Sequence, residues 1–320
     1  MIIKKREKTL HLKKLEALER RMPSAHKNRS MVEETLARQM AGFKGELAIN
    51  YPLSFLPQMT YYIFHHLRLF DGTRPFQLDT LLLTPYYLLI LEVKIISGSI
   101  TINHDFPQII RSSEDKEEAF ADPFIQIERQ KLQMKQWFIN NRRKTMPMEA
   151  IIVMANERTV VRHDNANSRS LEEKIIPCGG IPKCIRNMEA SYKKAHYSEK
   201  ELESLSNLLL RGHQELDSDI LKQFQVNQLE LISGVQCSAC WRFSMVWKRR
   251  RWQCPYCHSR SLNDHFQALE DYSLLFSPII SNRDARKFLH LSSPDNTKRM
   301  LRKYSNRYTG KTSGRKYLLR

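Results

Sequence analysis

The 320-residue sequence has no apolar run of about 18 residues, the length that a helix needs to cross a membrane, so we predict no membrane span. Its first residues are charged and lead into an amphipathic segment, without the apolar core of a signal peptide. No Gly-x-x-x-x-Gly-Lys-Ser/Thr phosphate loop occurs, which disfavours an ATP-driven motor. The lack of a membrane span and of a signal peptide favours a cytoplasmic protein.

Cysteine is also scarce, with six in the chain. Cys178 and Cys184 have no partner His or second pair nearby, so we interpret them as ordinary thiols. A disulfide framework is disfavoured in a cytosolic chain of this size. The other four form two Cys-x-x-Cys pairs separated by thirteen residues, a spacing that predicts a structural tetrahedral zinc site. These are Cys237, Cys240, Cys254 and Cys257.

Charge of one sign dominates, with a net charge of +18 that is concentrated at the two ends. Residues 1–30 hold ten Lys and Arg against three Glu, and residues 281–320 hold twelve against two Asp. Basic ends indicate arms or modules for polyanions, although a solvated charged face is the alternative. Hydrophobic residues make up 41%, enough for real cores, and the length predicts about two or three domains.

Residues 76–94 are the most informative segment, because two apolar strand-like runs flank a Thr-Pro-Tyr-Tyr turn. A hairpin turn there pairs Leu83 with Leu88. The same register places Asp79 opposite Glu92, and Cβ atoms paired in this way are roughly 4.5–5.5 Å apart.

Two carboxylates held so close in apolar strands destabilise a fold unless a cation joins them. Hard divalent metals take carboxylate oxygens, so Asp79 and Glu92 are candidate ligands. Lys94 lies two residues after Glu92 and points to the same face. An Asp followed by Glu-x-Lys on one hairpin face is typical of a metal-dependent phosphodiesterase site. The alternative is chance, since acidic residues often end strands and Glu-x-Lys is a common pair.

Four short motifs extend this pattern in a fixed order along the chain: Gly45-Glu46, Phe76-Gln77-Leu78-Asp79, Leu91-Glu92-Val93-Lys94 with Gly98, and Asp122-Pro123 with Gln126. In these motifs the sequence resembles the nuclease-related domain, or NERD, family over about residues 40–156. That family belongs to the PD-(D/E)XK nuclease-like superfamily, which implies a restriction-endonuclease-like mixed sheet flanked by helices. The rest of the chain resembles longer bacterial NERD proteins that add a zinc ribbon.

The resemblance implies a role for five side chains. It makes Asp79 and Glu92 ligands of Mg²⁺ or Mn²⁺. Lys94 would orient the attacking water and stabilise charge on the phosphate, while Glu46 on the preceding helix would support the metal or a water. Gln126 would lie on the following helix at the edge of the site.

Helical periodicity predicts helices over residues 8–22 and 30–41, and we expect both to pack against the nuclease-like domain. Pro52 closely follows Glu46, so we expect the helix that carries Glu46 to be short. Further expectations concern the elements around the site: a first strand at 61–64, a sheet strand at 100–102, a loop at 111–121, a buried strand at 150–155, a polar loop near 162–172, and helices near 198–211 and 215–227.

Asp122 followed by Pro123 predicts the start of a helix. On that helix Gln126, Gln130 and Gln133 share one face. This face either lines the site and contacts a nucleic-acid backbone or is an ordinary polar flank.

Between the cysteine pairs we predict a hairpin that interleaves aromatic and basic residues. Some aromatic rings must fill the small core of the ribbon, and the rest could stack on bases while the basic cluster contacts phosphates. Zinc ribbons also mediate protein contacts, which is the alternative. The aromatic residues are Trp241, Phe243, Trp247 and Trp252, and the basic cluster is Lys248, Arg249, Arg250 and Arg251.

The C-terminal segment resembles a helix-turn-helix or winged arrangement. Residues 282–289 and 297–304 predict two helices around a turn, and residues 308–319 a small β-wing. A disordered basic tail is the alternative. The second helix carries Lys298, Arg299, Arg302 and Lys303, as a groove-reading helix should.

We therefore predict an α/β nuclease-like domain with a zinc ribbon and a basic helical module. The predicted boundaries are basic N-terminal helices at 1–39, the NERD domain at 40–156, a helical linker at 157–230, the ribbon at 231–265 and the basic module at 271–320. The predicted function is metal-dependent hydrolysis of DNA or RNA, with DNA favoured as the partner and the oligomeric state left open. The alternative is a nucleic-acid-binding protein that keeps the fold without catalysis.

Overall fold

The computed structural model describes residues 1–57, 60–103, 108–113, 116–163 and 174–319. The polar loop predicted near 162–172 lies almost wholly outside these residues. The helices are α1 (Leu10–Arg21), α2 (Arg29–Ala48), α3 (Asn50–Ser54), α4 (Pro123–Asn140), α5 (Ile181–Ser191), α6 (Glu199–Arg211), α7 (Ile220–Gln223), α8 (His265–Leu275), α9 (Asn282–Leu289) and α10 (Pro294–Tyr304). Within the described ranges, no helix is both long enough and apolar enough to span a membrane.

The strands form separate sheets in two compact units. The first unit comprises Met1–Thr9 and Gln39–Leu216, and the second comprises Leu10–Arg38 and Asp217–Arg320. The strands are β1 (Ile2–Lys4), β2 (Tyr62–Phe70), β3 (Pro75–Leu83), β4 (Leu88–Lys94), β5 (Ser99–Asn103), β6 (Gln108–Ser113), β7 (Lys116–Ala121), β8 (Met148–Met154), β9 (Val160–His163), β10 (Ile175–Pro177), β11 (Val246–Lys248), β12 (Arg251–Gln253), β13 (Arg260–Ser261), β14 (Ile279–Ser281), β15 (Tyr308–Thr309) and β16 (Lys316–Leu318).

The main sheet of the first unit has the order β1-β2-β3-β4-β8-β10. Strands β2, β3 and β4 are antiparallel, whereas β1 on β2 and β8 between β4 and β10 are parallel. Helices α4 and α6 cover one face and α3 and α5 the other, so the central strands are apolar on both sides. The predicted mixed α/β sheet flanked by helices is confirmed.

Three expectations about the strands of this unit were wrong. The strand that includes residues 61–64 is the second of the sheet, because the charged N-terminus supplies β1 in parallel pairing with β2. Residues 100–102 do not continue the main sheet but belong to a second sheet of order β7-β6-β5-β9. Of the predicted loop at 111–121, residues 111–113 belong to β6 and residues 116–121 to β7 of that sheet. These polar strands are held by backbone hydrogen bonds between neighbouring strands and lack an alternation of apolar and polar residues. The sequence pattern therefore does not reveal them.

The helix that carries Glu46 was expected to be short, and this was wrong. This helix, α2, runs for 20 residues, and the break comes only at Ile49. Pro52 then lies in the first turn of α3, where a missing N–H is tolerated. The helix predicted near 215–227 was also too long, since only α7 forms there.

Helix α1 was expected to pack against the nuclease-like domain, and this was wrong. Its apolar side instead belongs to the second unit, where it shares a core with α7 and the end of α8. Amphipathic spacing predicted the helix and its buried face, but it does not specify the element against which that face packs. The contributing side chains include Leu15, Leu18, Leu221, Phe224 and Leu274.

A second core in this unit joins the cysteine-rich segment to the C-terminal helices and sheet. Trp252 lies with Leu269 of α8, and the same cluster contains Ile280, Leu301 and Tyr317. The ribbon and the basic segment after it therefore fold around one shared core, and the C-terminus is not a disordered tail.

Arg21 of α1 ties this unit together. Its guanidinium is 1% exposed and donates from Nε to Asp271 Oδ2 of α8 at 2.8 Å. Nη1 donates to the backbone carbonyl of Ile232 at 2.9 Å. The guanidinium also covers the rings of Phe243 and Phe288, with 4.9 and 4.6 Å between Cζ and the ring centroids. A single cation thus connects α1, the ribbon, α8 and α9.

We expect Arg21→Ala to destabilise the second unit by about 3–5 kcal/mol, because the buried carboxylate of Asp271 loses its fully buried partner. Arg20→Ala is the matched control. Arg20 also pairs with Asp271, but its side chain is 22% exposed, so its loss should cost clearly less. Chemical denaturation measures the change, and amide hydrogen exchange should locate it in α1 and α8. Equal losses for both variants would contradict the central role of Arg21.

Candidate active site and candidate zinc site

The β3–β4 hairpin has the register that the sequence predicted. Leu83 pairs with Leu88, and the ladder continues to Thr80 opposite Leu91. It stops one pair short of Asp79. There the Asp79 carboxylate accepts a hydrogen bond from the backbone N–H of Val93 through Oδ2, at 2.9 Å.

Asp79 also interrupts the ladder on its other side. Strand β2 pairs with β3 at His65 opposite Thr80 and again at Leu67 opposite Leu78, so Asp79 and His66 are left out. His66 has a φ of +50°, in the left-handed region that side chains rarely adopt. Backbone strain of this kind concentrates at functional sites.

Glu92 is buried, with 3% exposure, and both of its carboxylate oxygens accept hydrogen bonds. Lys94 Nζ donates to Oε1 at 2.8 Å, and Gln126 Nε2 donates to the same oxygen at 2.6 Å. Gln130 Nε2 donates to Oε2 at 2.8 Å. Gln126 Oε1 in turn accepts from Lys94 Nζ at 2.7 Å. The structure therefore brings Glu92, Lys94 and Gln126 into contact.

Helix α4 supplies the glutamine face because its start is fixed by a cap. Asp122 accepts from the N–H of Phe124 at 2.7 Å, and Pro123 occupies the first turn, as predicted. The third glutamine, Gln133, donates to Asp71 Oδ2 at 3.0 Å, beyond the end of β2. The shared face of α4 thus contacts two carboxylates, Glu92 of β4 and Asp71 just after β2, and is not an ordinary solvated flank.

Glu46, which the resemblance implies would support a metal or a water, contacts Arg6 and His66. Its Oε2 contacts Nη1 of Arg6 and Nε2 of His66. The Nη2 atom of Arg6 also donates to Thr80 Oγ1 at 2.7 Å and lies 2.8 Å from Nδ1 of His65. No pattern in the sequence indicated Arg6, which reaches the site only because β1 pairs with β2.

The surroundings of Asp79 disfavour its charged form. Burial raises the pKa of Asp79 well above its usual value, and the neighbouring carboxylates of Glu92 and Glu46 raise it further. The Val93 N–H and Lys94 oppose this effect without cancelling it. A bound cation would relieve the repulsion that these carboxylates exert on one another.

Asp79 and Glu92 fit a hard divalent ion in donor type, since Mg²⁺ is commonly held by one or two carboxylates together with waters and substrate phosphate. Because Glu92 Oε1 already accepts from Lys94 and Gln126, coordination through that oxygen requires one of these donors to move. Glu46 does not join a ligand group with them. Among the described residues, the four cysteines are the one set of three or more His, Cys, Asp or Glu side chains placed to share a metal.

The four cysteines meet as the spacing predicted, with all Sγ atoms within 4.8 Å of one another. Two of the Sγ pairs, Cys237 with Cys257 and Cys240 with Cys254, are 3.6 Å apart. A tetrahedron with Zn–S bonds of about 2.3 Å has edges of about 3.8 Å, so this cluster could hold zinc. A hydrogen bond with Ser244 lowers the pKa of the Cys254 thiol to about 6, which favours the thiolate that ligation requires.

The ribbon hairpin presents its basic residues at the tip. Lys248 pairs with Arg251, and the two-residue turn between them has positive φ at both Arg249 and Arg250. All four are exposed. Of the aromatic residues, Trp252 is buried in the core and packs against Trp247, whereas Trp241 is 70% exposed.

The basic residues of the last helix are also exposed, on the side of α10 away from the core. Lys303 donates from Nζ to Asn263 Oδ1 at 3.0 Å. The α10 group of Lys298, Arg299, Arg302 and Lys303 thus forms one basic face, as the spacing predicted. Contact of this face with nucleic acid stays a prediction.

The first unit is a mixed α/β domain with a carboxylate–lysine cluster on its main sheet. Residues 41–155 match the family model described as NERD, nuclease-related domain, so the resemblance seen in this segment of the sequence is confirmed. This segment contains Glu46, Asp79, Glu92, Lys94 and Gln126. Comparison with curated proteins and with solved structures gave no match.

We expect purified, reduced protein to contain one zinc ion per chain, held by the four thiolates. Cys237→Ser and Cys254→Ser should release it and loosen the C-terminal helices as well, because both cysteines belong to the shared core. Metal analysis and hydrogen exchange measure the two effects. Cys178→Ser and Cys184→Ser are the controls and should retain the metal, whereas zinc loss from these variants would contradict the assignment.

Proposed function

We propose that the nuclease-related domain hydrolyses phosphodiester bonds of nucleic acid with Mg²⁺ or Mn²⁺. The observation that carries this proposal is the convergence of Asp79, Glu92 and Lys94 on adjacent strands, with Gln126 of α4 beside them. Burial and the neighbouring carboxylates of Glu92 and Glu46 raise the pKa of Asp79, and a cation between the carboxylates would relieve their mutual repulsion. The match of residues 41–155 to a nuclease-related domain supports the class of substrate.

Asp79 and Glu92 would hold the ion, which when bound polarises the scissile phosphate and acidifies a coordinated water. Lys94 would donate to the attacking water or to a phosphate oxygen, where charge develops during the reaction. Gln126 accepts from Lys94 Nζ at 2.7 Å and so fixes the direction of the ammonium group. Because the acids and the lysine lie on paired strands, the positions of these groups are set before substrate binds.

A second function has its own support. Both oxygens of Glu92 accept hydrogen bonds from Lys94, Gln126 and Gln130, so this carboxylate is satisfied without an ion. This arrangement favours a domain that binds nucleic acid and does not cleave it. Cleavage assays on plasmid DNA, linear DNA and RNA, with and without Mg²⁺ or Mn²⁺, separate the two functions.

We expect Asp79→Ala, Glu92→Gln and Lys94→Ala each to lower the cleavage rate by about 10²–10³-fold, because each removes a ligand or cation positioned at the developing charge. The matched controls are Glu203→Gln and Lys200→Ala, which make the same chemical changes at exposed positions on α6. Circular dichroism should show an intact fold in all variants. Wild-type cleavage by the three site variants would disprove the site.

We expect the affinity for Mn²⁺ in zinc-loaded protein to rise with pH. Burial and the neighbouring Glu92 and Glu46 raise the pKa of Asp79, so at lower pH the ion must displace a proton from this carboxyl group. Calorimetric titration over a range of pH, with proton release measured in two buffers, tests this. Asp79→Asn should bind weakly and without this pH dependence, and a pH-independent wild type would contradict metal binding at Asp79.

A further inference from the structure

The C-terminal part of the second unit has the chain order of a winged helix. Three helices and three strands follow one another as α8, β14, α9, α10, β15 and β16, and the strands form an antiparallel sheet of order β14-β16-β15. Strand β14 pairs with β16 at Ile280 opposite Tyr317, and β15 pairs with β16 at Tyr308 opposite the same residue. The sequence indicated only α9, α10 and the wing.

The connection between α9 and α10 is a tight helix-turn-helix link. His290 ends α9 in the left-handed conformation, with φ of +58°. Ser293 caps α10 by accepting from the N–H of Asn296 at 3.3 Å, and Asn282 Nδ2 of α9 donates to the carbonyl of Pro294 at 2.9 Å. A turn of three or four residues between two helices at a fixed angle is the geometry that presents the second helix to DNA.

Helix α10 separates its apolar and basic sides. Met300 and Leu301 are buried in the shared core, whereas Lys298, Arg299 and Arg302 are exposed on the opposite side. In the part of the chain that the structure describes, these three cations form no ion pair. An unpaired basic face on a helix of 11 residues, about 16 Å long, is suited to a polyanion.

The wing adds a second basic element. Gly310 has a φ of +76°, and a Cβ there would lie 2.7 Å from the carbonyl oxygen of Gly314, so the turn requires glycine. Arg315 is stacked over the Tyr308 ring at 4.3 Å. Lys311 and Lys316 are exposed on this hairpin, next in sequence to the helix that carries the basic face.

We propose that residues 265–319 bind double-stranded DNA, with α10 in the major groove and the wing on the adjacent phosphate backbone. This inference rests on the proposed function only in taking nucleic acid as the partner. A helix of about 10–12 Å diameter fits the B-form major groove, which is about 12 Å wide. The major groove of A-form RNA is deep and narrow and does not admit a helix, so the topology favours duplex DNA over duplex RNA.

The test measures binding without cleavage, in the Asp79→Ala chain with zinc bound and no other divalent metal added. Fluorescence anisotropy compares a DNA duplex of about 20 base pairs with an RNA duplex and a single DNA strand of the same sequence. We expect the DNA duplex to bind at least about tenfold more tightly than the RNA duplex. The triple variant Lys298→Gln, Arg299→Gln, Arg302→Gln should weaken DNA binding at least about tenfold. It should also lower the slope of log affinity against log salt by about 0.9 for each phosphate that is no longer neutralised.

The matched control removes three exposed charges elsewhere, as Lys193→Gln, Lys194→Gln, Lys200→Gln, and should bind as the parent does. Protection of guanine N7 from dimethyl sulfate reports on the major groove and should disappear in the α10 variant. Zinc content and circular dichroism check folding. If the triple variant misfolds, the single variant Arg302→Gln and the wing variant Lys311→Gln, Lys316→Gln carry the test.

Equal affinity for DNA and RNA duplexes, a preference for single strands, or undiminished binding by folded α10 and wing variants would overturn the proposal. The outcome is separable from that of the catalytic proposal. Wild-type cleavage with Mn²⁺ and no preference for duplex DNA overturns only the winged-helix inference. Specific duplex binding without cleavage overturns only the catalytic assignment.

Discussion

The constraint on which both units depend is that a charge removed from water must have partners. Folding buries Glu92 in the first unit and Asp271 in the second, and a buried carboxylate left without its partner costs about 3–5 kcal/mol, a large share of the net stability of a domain. Glu92 is held by one lysine and two glutamines, and Asp271 by two arginines of α1. Each set of partners also positions a helix, α4 against the main sheet and α1 against α8. The same contacts that compensate the buried carboxylate therefore hold the helix in place.

Asp79 differs from Asp271 in the sign of its charged neighbours: Glu92 and Glu46 add to the effect of burial in raising the pKa of Asp79, whereas Arg21 and Arg20 oppose the effect of burial on the pKa of Asp271. Asp79 lies where the pairing of β3 with both neighbouring strands is interrupted. A fold that needed only stability would be better served by an apolar residue at this position. The retained carboxyl group, together with the strained backbone of His66, is the kind of local conflict that proteins keep where function requires it.

The shared core of the second unit changes how the basic C-terminus should be understood. Phe288, Leu301 and Tyr317 pack with Trp252 of the ribbon, so removing residues 281–320 would take away the core around the cysteine cluster as well as the positive charge. Loss of binding after such a truncation would therefore not identify a binding surface. Exposed cations of α10 and of the wing can be removed one by one without opening the core, which makes them the informative positions.

The sequence by itself determined the local features: the hairpin register that brings Asp79 towards Glu92, the capped start and polar face of α4, the cysteine cluster, and helices α9 and α10. These depend on neighbours within a few tens of residues, where periodicity, turns and caps are decisive. Only the tertiary structure decided that Arg6 reaches Glu46 and that α1 belongs with the C-terminal unit. It also decided that α8 and β14 complete the winged helix. These contacts join segments far apart in the chain, and an amphipathic pattern specifies that a face must be buried without specifying its partner.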